Sequence, residues 1–250
     1  QNINKIINTA EVERIERVLS ADDMQGRKTF TPGIDKAADF IASEFEKNKL
    51  QFFGNAKNYF QDFTMFKVKP LQVTGLLDNA TLNTENVVVN STSAGQQISN
   101  LKDYEIVTIK KEDNFNKLAQ SYFQSSKNLI VLIDTSFSKA FKRLQWFTTR
   151  EKFEMPVTQV FILTVNTNPT SIQLEIKNEV TKQDLKNVVA VLPGKSKKDE
   201  YVVFGGHYDH LGIGRPDKNM DSIYNGANDD AAGTTAVMML ANYFSKLKNN

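Results

Sequence analysis

The sequence contains no cysteine. Disulfide bonds, thiolate metal sites and a thiol nucleophile are therefore excluded, and His, Asp and Glu remain as the available metal ligands. No apolar run approaches the ~20 residues that cross a membrane. Neither sign of charge is in excess, because 31 basic residues stand against 29 acidic ones and both kinds are scattered along the chain. The sequence thus offers no basic surface for nucleic acid or anionic lipid, and we expect no nucleic-acid partner and no membrane span.

The remaining composition is that of a globular protein. Hydrophobic residues make up 40% and charged residues 24% of the 250 positions, close to the averages of folded domains. A chain of this length fits one large domain or a domain that carries an insertion.

Periodicity divides the chain into three parts. Apolar residues recur every three or four positions over 11–19 and 34–45, which predicts two amphipathic helices joined by a loop that ends at Pro32 and Gly33. Between about 59 and 185, short apolar or alternating runs indicate a β-rich inserted module, with strands over 129–133, 157–165 and 171–176. Residues 139–147 are compatible with a helix or an aromatic-rich loop.

The last part has the pattern of an α/β domain. Continuous apolar runs at 188–192 and 201–204 are typical of central strands that helices cover on both faces. Residues 234–247 show helical spacing again. We therefore predict a sheet sandwiched between helices in this part of the chain.

One of the two histidines lies where the second apolar run ends, in Gly-Gly-His-Tyr-Asp-His-Leu-Gly at 205–212. If the extended geometry continues, His207 and Asp209 share a face, and the carboxylate can support an imidazole that binds a metal. The paired glycines allow close approach of backbone. The alternative is a His and an Asp that only hydrogen-bond each other at the surface, since the three-residue pattern arises easily by chance.

Two adjacent carboxylates, Asp229 and Asp230, follow within Asn-Gly-Ala-Asn-Asp-Asp-Ala-Ala-Gly at 225–233. One of them can be explained as a cap at the start of the next helix. Both together are better explained by a nearby cation, since neighbouring like charges repel, and one carboxylate can bridge two metal ions.

These two segments resemble metallopeptidase family 28, which includes bacterial leucyl aminopeptidases, aminopeptidase Y and glutamate carboxypeptidase II. The N-terminal region resembles the opening segment of exported bacterial members at Met24, Gly26, Arg27, Gly33, Ala37, Ala38, Ile41 and Phe45. The resemblance implies a three-layer αβα zinc-exopeptidase domain with a mixed sheet, interrupted by a protease-associated-like module. We expect peptidase-domain parts at 1–65 and 186–250, and the module at 66–185.

The resemblance also implies roles for the site residues. His207 binds one zinc, and Asp229 bridges two zincs. The peptide bond between Asp229 and Asp230 is cis. Asp209 supports His207 as part of the catalytic machinery, and Asp230 is structural support. His210 is not a ligand, and the extended geometry would place it on the face opposite His207. The expected activity is that of a zinc-dependent exopeptidase, an aminopeptidase that hydrolyses N-terminal peptide bonds with a metal-bound hydroxide.

The family's mechanism needs further residues. A Glu-Glu pair supplies the general base and a zinc ligand, and no Glu-Glu pair occurs in this chain. We therefore expect a truncated part of a longer enzyme, inactive alone and weak in zinc binding. The alternatives are a noncatalytic peptidase-like binding protein, or a carboxypeptidase or glutaminyl cyclase of the same fold. Gln1 in place of an initiating Met fits either a removed export signal or an arbitrary start of the given sequence. Because the N-terminal region resembles exported members of the family, we expect an exported protein whose signal peptide has been removed.

Overall fold

A computed structural model describes residues 3–247. The described residues form two compact units, one made of the residues up to 63 and from 184 onwards (unit 1) and one of residues 64–183 (unit 2). The observed limits of unit 2 lie two residues before the expected limits of the inserted module at both ends. The protease-associated character of unit 2 remains a prediction.

The helices are α1 Thr9–Leu19, α2 Pro32–Lys47, α3 Phe115–Phe123, α4 Ser138–Thr148 and α5 Ala232–Ser245. Single turns of tighter or wider helix lie at Ile3–Lys5, Asp22–Arg27, Leu101–Asp103, Thr135–Phe137 and Ala227–Ala231. The strands are β1 Phe60–Leu77, β2 Ala80–Asn83, β3 Val87–Asn90, β4 Gly95–Ile98, β5 Glu105–Ile109, β6 Leu129–Ile133, β7 Gln159–Leu163, β8 Ile172–Val188, β9 Gly212–Ile213 and β10 Ile223–Tyr224. The predicted mixed α/β class is confirmed.

Unit 1 is built around α1, α2 and α5. Helix α1 begins where Asn8 Oδ1 accepts a hydrogen bond from the Glu11 amide at 3.1 Å. Helix α2 begins with Pro32, whose fixed φ suits the first turn and whose missing N–H is not needed there. The buried faces of the three helices meet in one core that includes Ile15, Ile41 and Met238. All three predicted helices of unit 1 are thus confirmed, with ends shifted by at most two residues.

The predicted central strand at 201–204 is wrong for the described residues. Tyr201–Phe204 belongs to no strand, and Val202 and Val203 are 83% and 85% exposed. A strand needs a neighbour whose backbone completes its hydrogen bonds, and no segment within residues 3–247 pairs with this one. The run at 188–192 is only partly a strand, since β8 ends at Val188 and Val191 beyond it forms a single bridge with Gln51.

Unit 2 has a sheet of order β3-β7-β6-β5 in which β5, β6 and β7 are parallel and β3 is antiparallel. Helices α3 and α4 connect the parallel strands. Every residue of β6 is buried, and its side chains alternate between two cores. Ile130 and Leu132 pack with residues of β1 and β8, whereas Leu129, Val131 and Ile133 pack against α3 and α4. The sequence missed α3, and the open alternative at 139–147 is resolved as a helix.

The second sheet has the order β2-β1-β8-β4, with β2 and β4 antiparallel to their neighbours.

Among residues 3–247, no helix combines the length and the apolar character that crossing a lipid bilayer requires.

A polar network is enclosed in unit 2. The Nζ of Lys152 donates a hydrogen bond of 2.7 Å to Asn90 Oδ1. The side-chain Nδ2 of Asn90 in turn donates to Gln159 Oε1 at 2.8 Å. Asn90 and Gln159 are 4% and 0% exposed. Because burial disfavours the ammonium form, the pKa of Lys152 is lowered from 10.5 to about 8.

We predict a pH dependence of stability that originates at Lys152. Its folded pKa of about 8 lies below the 10.5 of the unfolded chain, so between these values the unfolded state binds more protons. The free energy of unfolding should therefore rise with pH from about 8 to 10.5, by at most about 1.4 kcal/mol per pH unit for one proton. Urea unfolding across this range, comparing the wild type with Lys152→Met, measures the difference in slope.

The exposed Lys102 provides the matched control for this measurement. Lys102→Met should keep the pH slope of the wild type. If the free energy of unfolding changed with pH equally in the wild type and in Lys152→Met, Lys152 would have the same pKa in the folded and unfolded states, and the prediction would be wrong.

Candidate functional site

The segment that carries His207 is held by contacts on both sides of the histidine. The His207 carbonyl accepts a hydrogen bond from Thr234 Oγ1 at 3.0 Å, which ties it to the start of α5. The next residue, Tyr208, donates its hydroxyl to the Lys186 carbonyl, and burial raises the pKa of this phenol to about 12. Gly206 lies so close to α5 that a Cβ there would stand 3.1 Å from the Thr234 nitrogen. The predicted close approach of backbone therefore occurs at the second of the paired glycines.

The segment that carries the two aspartates turns sharply before α5. Gly226 has a φ of +63°, in the left-handed region that glycine adopts without a steric penalty. A Cβ at this position would meet the Asp229 carbonyl oxygen and the His210 ring, each at 2.6 Å. The peptide bond from Asp229 to Asp230 is cis, as the resemblance implied. The two adjacent carboxylates contact different neighbours.

Asp230 is directed towards α5. Its Oδ1 accepts a hydrogen bond of 3.0 Å from the Gly233 amide, one of the donors that a helix leaves unpaired in its first turn. Asp230 thus caps the first turn of α5. The Asp229 side chain instead contacts His207 and is 68% exposed.

Three side chains meet around the His207 ring. The Nε2 atom lies 3.2 Å from Asp229 Oδ1, and Nδ1 lies 3.4 Å from Asp209 Oδ1. The Asp209 backbone carbonyl is nearer still, 3.2 Å from Nδ1. His207, Asp209 and Asp229 are thus placed together, with the carboxylate of Asp209 behind the ring and that of Asp229 in front of it.

His210 does not lie on the opposite face, so that expectation is wrong. Its Nδ1 is 3.9 Å from Asp229 Oδ2, and its side chain is 13% exposed. The expectation assumed an extended strand end, whereas residues 201–211 form an irregular segment in which the period of two does not hold. Both histidines therefore face the same carboxylate.

The surroundings of His207 favour a cation. A neutral imidazole has one N–H donor and one lone pair, yet each ring nitrogen here faces an oxygen that accepts hydrogen bonds. The tautomer with its N–H on Nδ1 donates to the Asp209 carbonyl. The other nitrogen then presents its lone pair to Asp229 Oδ1, and this contact is favourable only with a proton or a metal ion between the two atoms.

The same two atoms fit the dimensions of a zinc site. With bonds of about 2.1 Å and a tetrahedral angle, a nitrogen and an oxygen bound to one zinc ion lie about 3.4 Å apart. The observed separation of Nε2 and Oδ1 is 3.2 Å. Imidazole nitrogen and carboxylate oxygen are also ligands that zinc accepts. His207 and Asp229 can therefore hold a zinc ion with little rearrangement.

The donor set is small and open to solvent. Within the described part of the chain, no group of three or more His, Asp or Glu side chains is arranged to hold a metal ion. The side chains of His207 and Asp229 are 57% and 68% exposed. Two protein ligands are fewer than the three or four of ordinary zinc sites, so the affinity of the pair alone must be low.

Arg27 joins these two segments, although the sequence prediction named it only within the N-terminal resemblance and gave it no role at the site. The guanidinium of Arg27 is fully buried and donates hydrogen bonds to the Tyr208, Asn225 and Gly226 carbonyls at 2.9, 2.7 and 2.9 Å. It also donates to the Leu19 carbonyl. Burial lowers the pKa of Arg27, against the opposing effect of nearby carboxylates. Local spacing gives no signal for such contacts, because three of the four acceptors lie more than 180 positions along the chain.

The segment that contains the carboxylates of Asp209, Asp229 and Asp230 matches a known protein family. Residues 187–250 match the model of Peptidase family M28. This segment is similar to Peptidase family M28. The predicted resemblance to metallopeptidase family 28 is thereby confirmed for the part of the chain that holds His207 and Asp229.

Among solved structures, an aminopeptidase from Aneurinibacillus sp. strain AM-1 is 18% identical with a TM-score of 0.44, over 98% of this chain and 61% of that one. A zinc aminopeptidase from Bacillus subtilis, BSAP, is 16% identical with a TM-score of 0.38, over 95% of this chain and 58% of that one. The chain thus spans about three fifths of the length of these proteins. A search of curated proteins gave no match.

We predict that the two aspartates of the M28 segment differ in their effect on stability. Asp230→Ala removes the acceptor of the Gly233 amide and should lower the free energy of unfolding of unit 1 by about 1 kcal/mol. Asp229→Ala should change it by less than about 0.5 kcal/mol, because its ion pair with His207 is exposed. Urea unfolding of both variants measures the two effects, and equal losses would contradict the capping role of Asp230.

Proposed function

We propose that unit 1 provides the first part of the metal site of a zinc-dependent exopeptidase of the aminopeptidase kind. The observation that carries the proposal is the placement of His207 Nε2 3.2 Å from Asp229 Oδ1 within a segment that matches Peptidase family M28. The substrate class is a peptide with a free amino terminus, as the resemblance to the family's aminopeptidases implies. Carboxypeptidase and glutaminyl cyclase activities belong to the same resemblance.

The residues of the site have separate tasks in this proposal. His207 and Asp229 hold zinc through Nε2 and a carboxylate oxygen. The Asp209 carbonyl would accept a hydrogen bond from Nδ1–H, which leaves Nε2 unprotonated for the metal, and the Asp209 carboxylate adds negative charge behind the ring. Asp230 fixes the turn before α5 and does not bind metal.

Zinc would supply a Lewis acid that polarises the scissile carbonyl and lowers the pKa of a water molecule. The chain's own residues account for metal binding but not for proton transfer. The general base of the family belongs to a Glu-Glu pair, which this sequence does not contain. We therefore propose that the 250-residue chain alone does not turn over peptides and that activity belongs to a longer protein.

A noncatalytic binding protein is the second candidate. It is favoured by the lack of a complete ligand group within residues 3–247 and by the open position of His207 and Asp229. In that case unit 1 would serve as a scaffold for unit 2.

The protease-associated character of unit 2 and export from the cell are further parts of our proposal.

Zinc titration tests the metal site directly. Calorimetry should show weak zinc binding by the wild-type chain, with a dissociation constant in the micromolar range or above, since each ligand missing from a zinc site removes several kcal/mol or more. His207→Ala and Asp229→Asn should each remove most of the remaining binding. Asp23→Asn is the matched control, because Asp23 is 69% exposed and has only a 4.0 Å ion pair with Lys36.

Two results would contradict the proposed site. Nanomolar binding by the wild-type chain would show that it holds a complete set of ligands. Binding that persists unchanged in both His207→Ala and Asp229→Asn would place the metal elsewhere.

A hydrolysis assay tests the proposed division of labour. With zinc present, the 250-residue chain should release no p-nitroaniline from leucine p-nitroanilide above the rate of zinc in buffer. The expectation follows because a positioned general base contributes about 10²–10⁴-fold to such a reaction. Turnover that is lost in Asp229→Asn would show that this chain supplies a base of its own.

A further inference from the structure

We propose that Arg27 is the positioning residue of the metal site, whose buried guanidinium sets the separation of His207 from Asp229. This inference deepens the proposed function. Only its zinc titration depends on that function, because the other measurements use the metal-free protein. Its basis is the set of hydrogen bonds that join the two site segments through a single side chain.

The guanidinium uses four of its five N–H groups. Nε donates to the Tyr208 carbonyl, the residue after His207. Nη1 and Nη2 donate to the Asn225 and Gly226 carbonyls, at the start of the turn that carries Asp229. A planar guanidinium thus holds a backbone group of each site segment in a fixed relation to the other.

The backbone of Arg27 adds a further link to the first segment. Its carbonyl accepts a hydrogen bond of 3.0 Å from the His210 amide. The segment from Tyr208 to His210 is therefore attached to Arg27 at two points. Nη1 also donates to the carbonyl of Leu19 at the end of α1, which fixes the guanidinium to the helical core of unit 1.

Charge supports the same role. The carboxylates of Asp209, Asp229 and Asp230 all act on the guanidinium through space, yet none forms an ion pair with it among the described residues. The guanidinium instead bonds only to neutral carbonyls. A fixed positive charge beneath three carboxylates reduces their mutual repulsion while leaving the oxygens of Asp229 free for a metal.

Lysine cannot reproduce this geometry. An ammonium has three donors around one atom, whereas the four carbonyls are served by three separate nitrogens of a rigid plane. Arg27→Lys therefore keeps the charge and removes the link. Arg14→Lys is the matched control, since Arg14 lies in the same unit but pairs with the carboxylates of Glu11 and Glu44.

Amide hydrogen exchange of the metal-free protein tests positioning without any reference to zinc. In Arg27→Lys, the amides of His210, Ala231 and Gly233 should exchange about tenfold faster, because the bonds that hold them belong to the two site segments. Amides within α2 should keep their wild-type rates, and Arg14→Lys should leave the three site amides unchanged. Faster exchange in α2 by the same factor would overturn the proposal, because it would indicate a loss of global stability.

A measurement on the wild type covers the case in which Arg27→Lys does not fold. NMR of the guanidinium should show separate, slowly exchanging N–H signals with couplings across hydrogen bonds to the Tyr208, Asn225 and Gly226 carbonyls. A freely rotating guanidinium with averaged signals would overturn the proposal.

Zinc titration connects positioning with binding. Arg27→Lys should bind zinc about tenfold more weakly than the wild type, and Arg14→Lys should bind equally well. Equal zinc binding by Arg27→Lys and the wild type would overturn the positioning role. If the wild type itself binds no zinc, the proposed function fails, while the exchange result still decides whether Arg27 orders the two segments.

Discussion

The site depends on the buried guanidinium of Arg27, which has no carboxylate partner among residues 3–247. Removing a guanidinium from water is costly unless its donors find acceptors, and Arg27 finds them in backbone carbonyls of three separate parts of the chain. Those carbonyls must converge on one plane, so the segments that carry them must converge as well. The positions of His207 and Asp229 follow from this requirement, because each lies within three residues of a carbonyl that Arg27 binds.

Features that depend on local pattern were predictable from the sequence. The helices of unit 1 follow from apolar spacing, and strand β6 from an uninterrupted apolar run. The meeting of His207, Asp209 and Asp229 was also expected, although the reason given for the first two residues, a continuing strand, does not apply. The sequence thus predicted that these residues lie close together, while the backbone that brings them together is irregular.

Features that depend on distant partners were not predictable. Apolar composition alone suggested that residues 201–204 form a covered strand, but a strand exists only where another strand accepts its hydrogen bonds. His210 was placed on the wrong face for a related reason, since alternation holds only in extended backbone. The role of Arg27 requires contacts more than 180 positions apart, for which periodicity offers no signal.

The orientation of the His207 ring rests on a main-chain group. Nδ1 is closer to the carbonyl oxygen of Asp209 than to its carboxylate, at 3.2 Å against 3.4 Å. A carbonyl is retained whatever side chain occupies position 209, so the tautomer of the imidazole is protected against substitution there. The direction of the ring and the negative charge behind it therefore come from different atoms of the same residue.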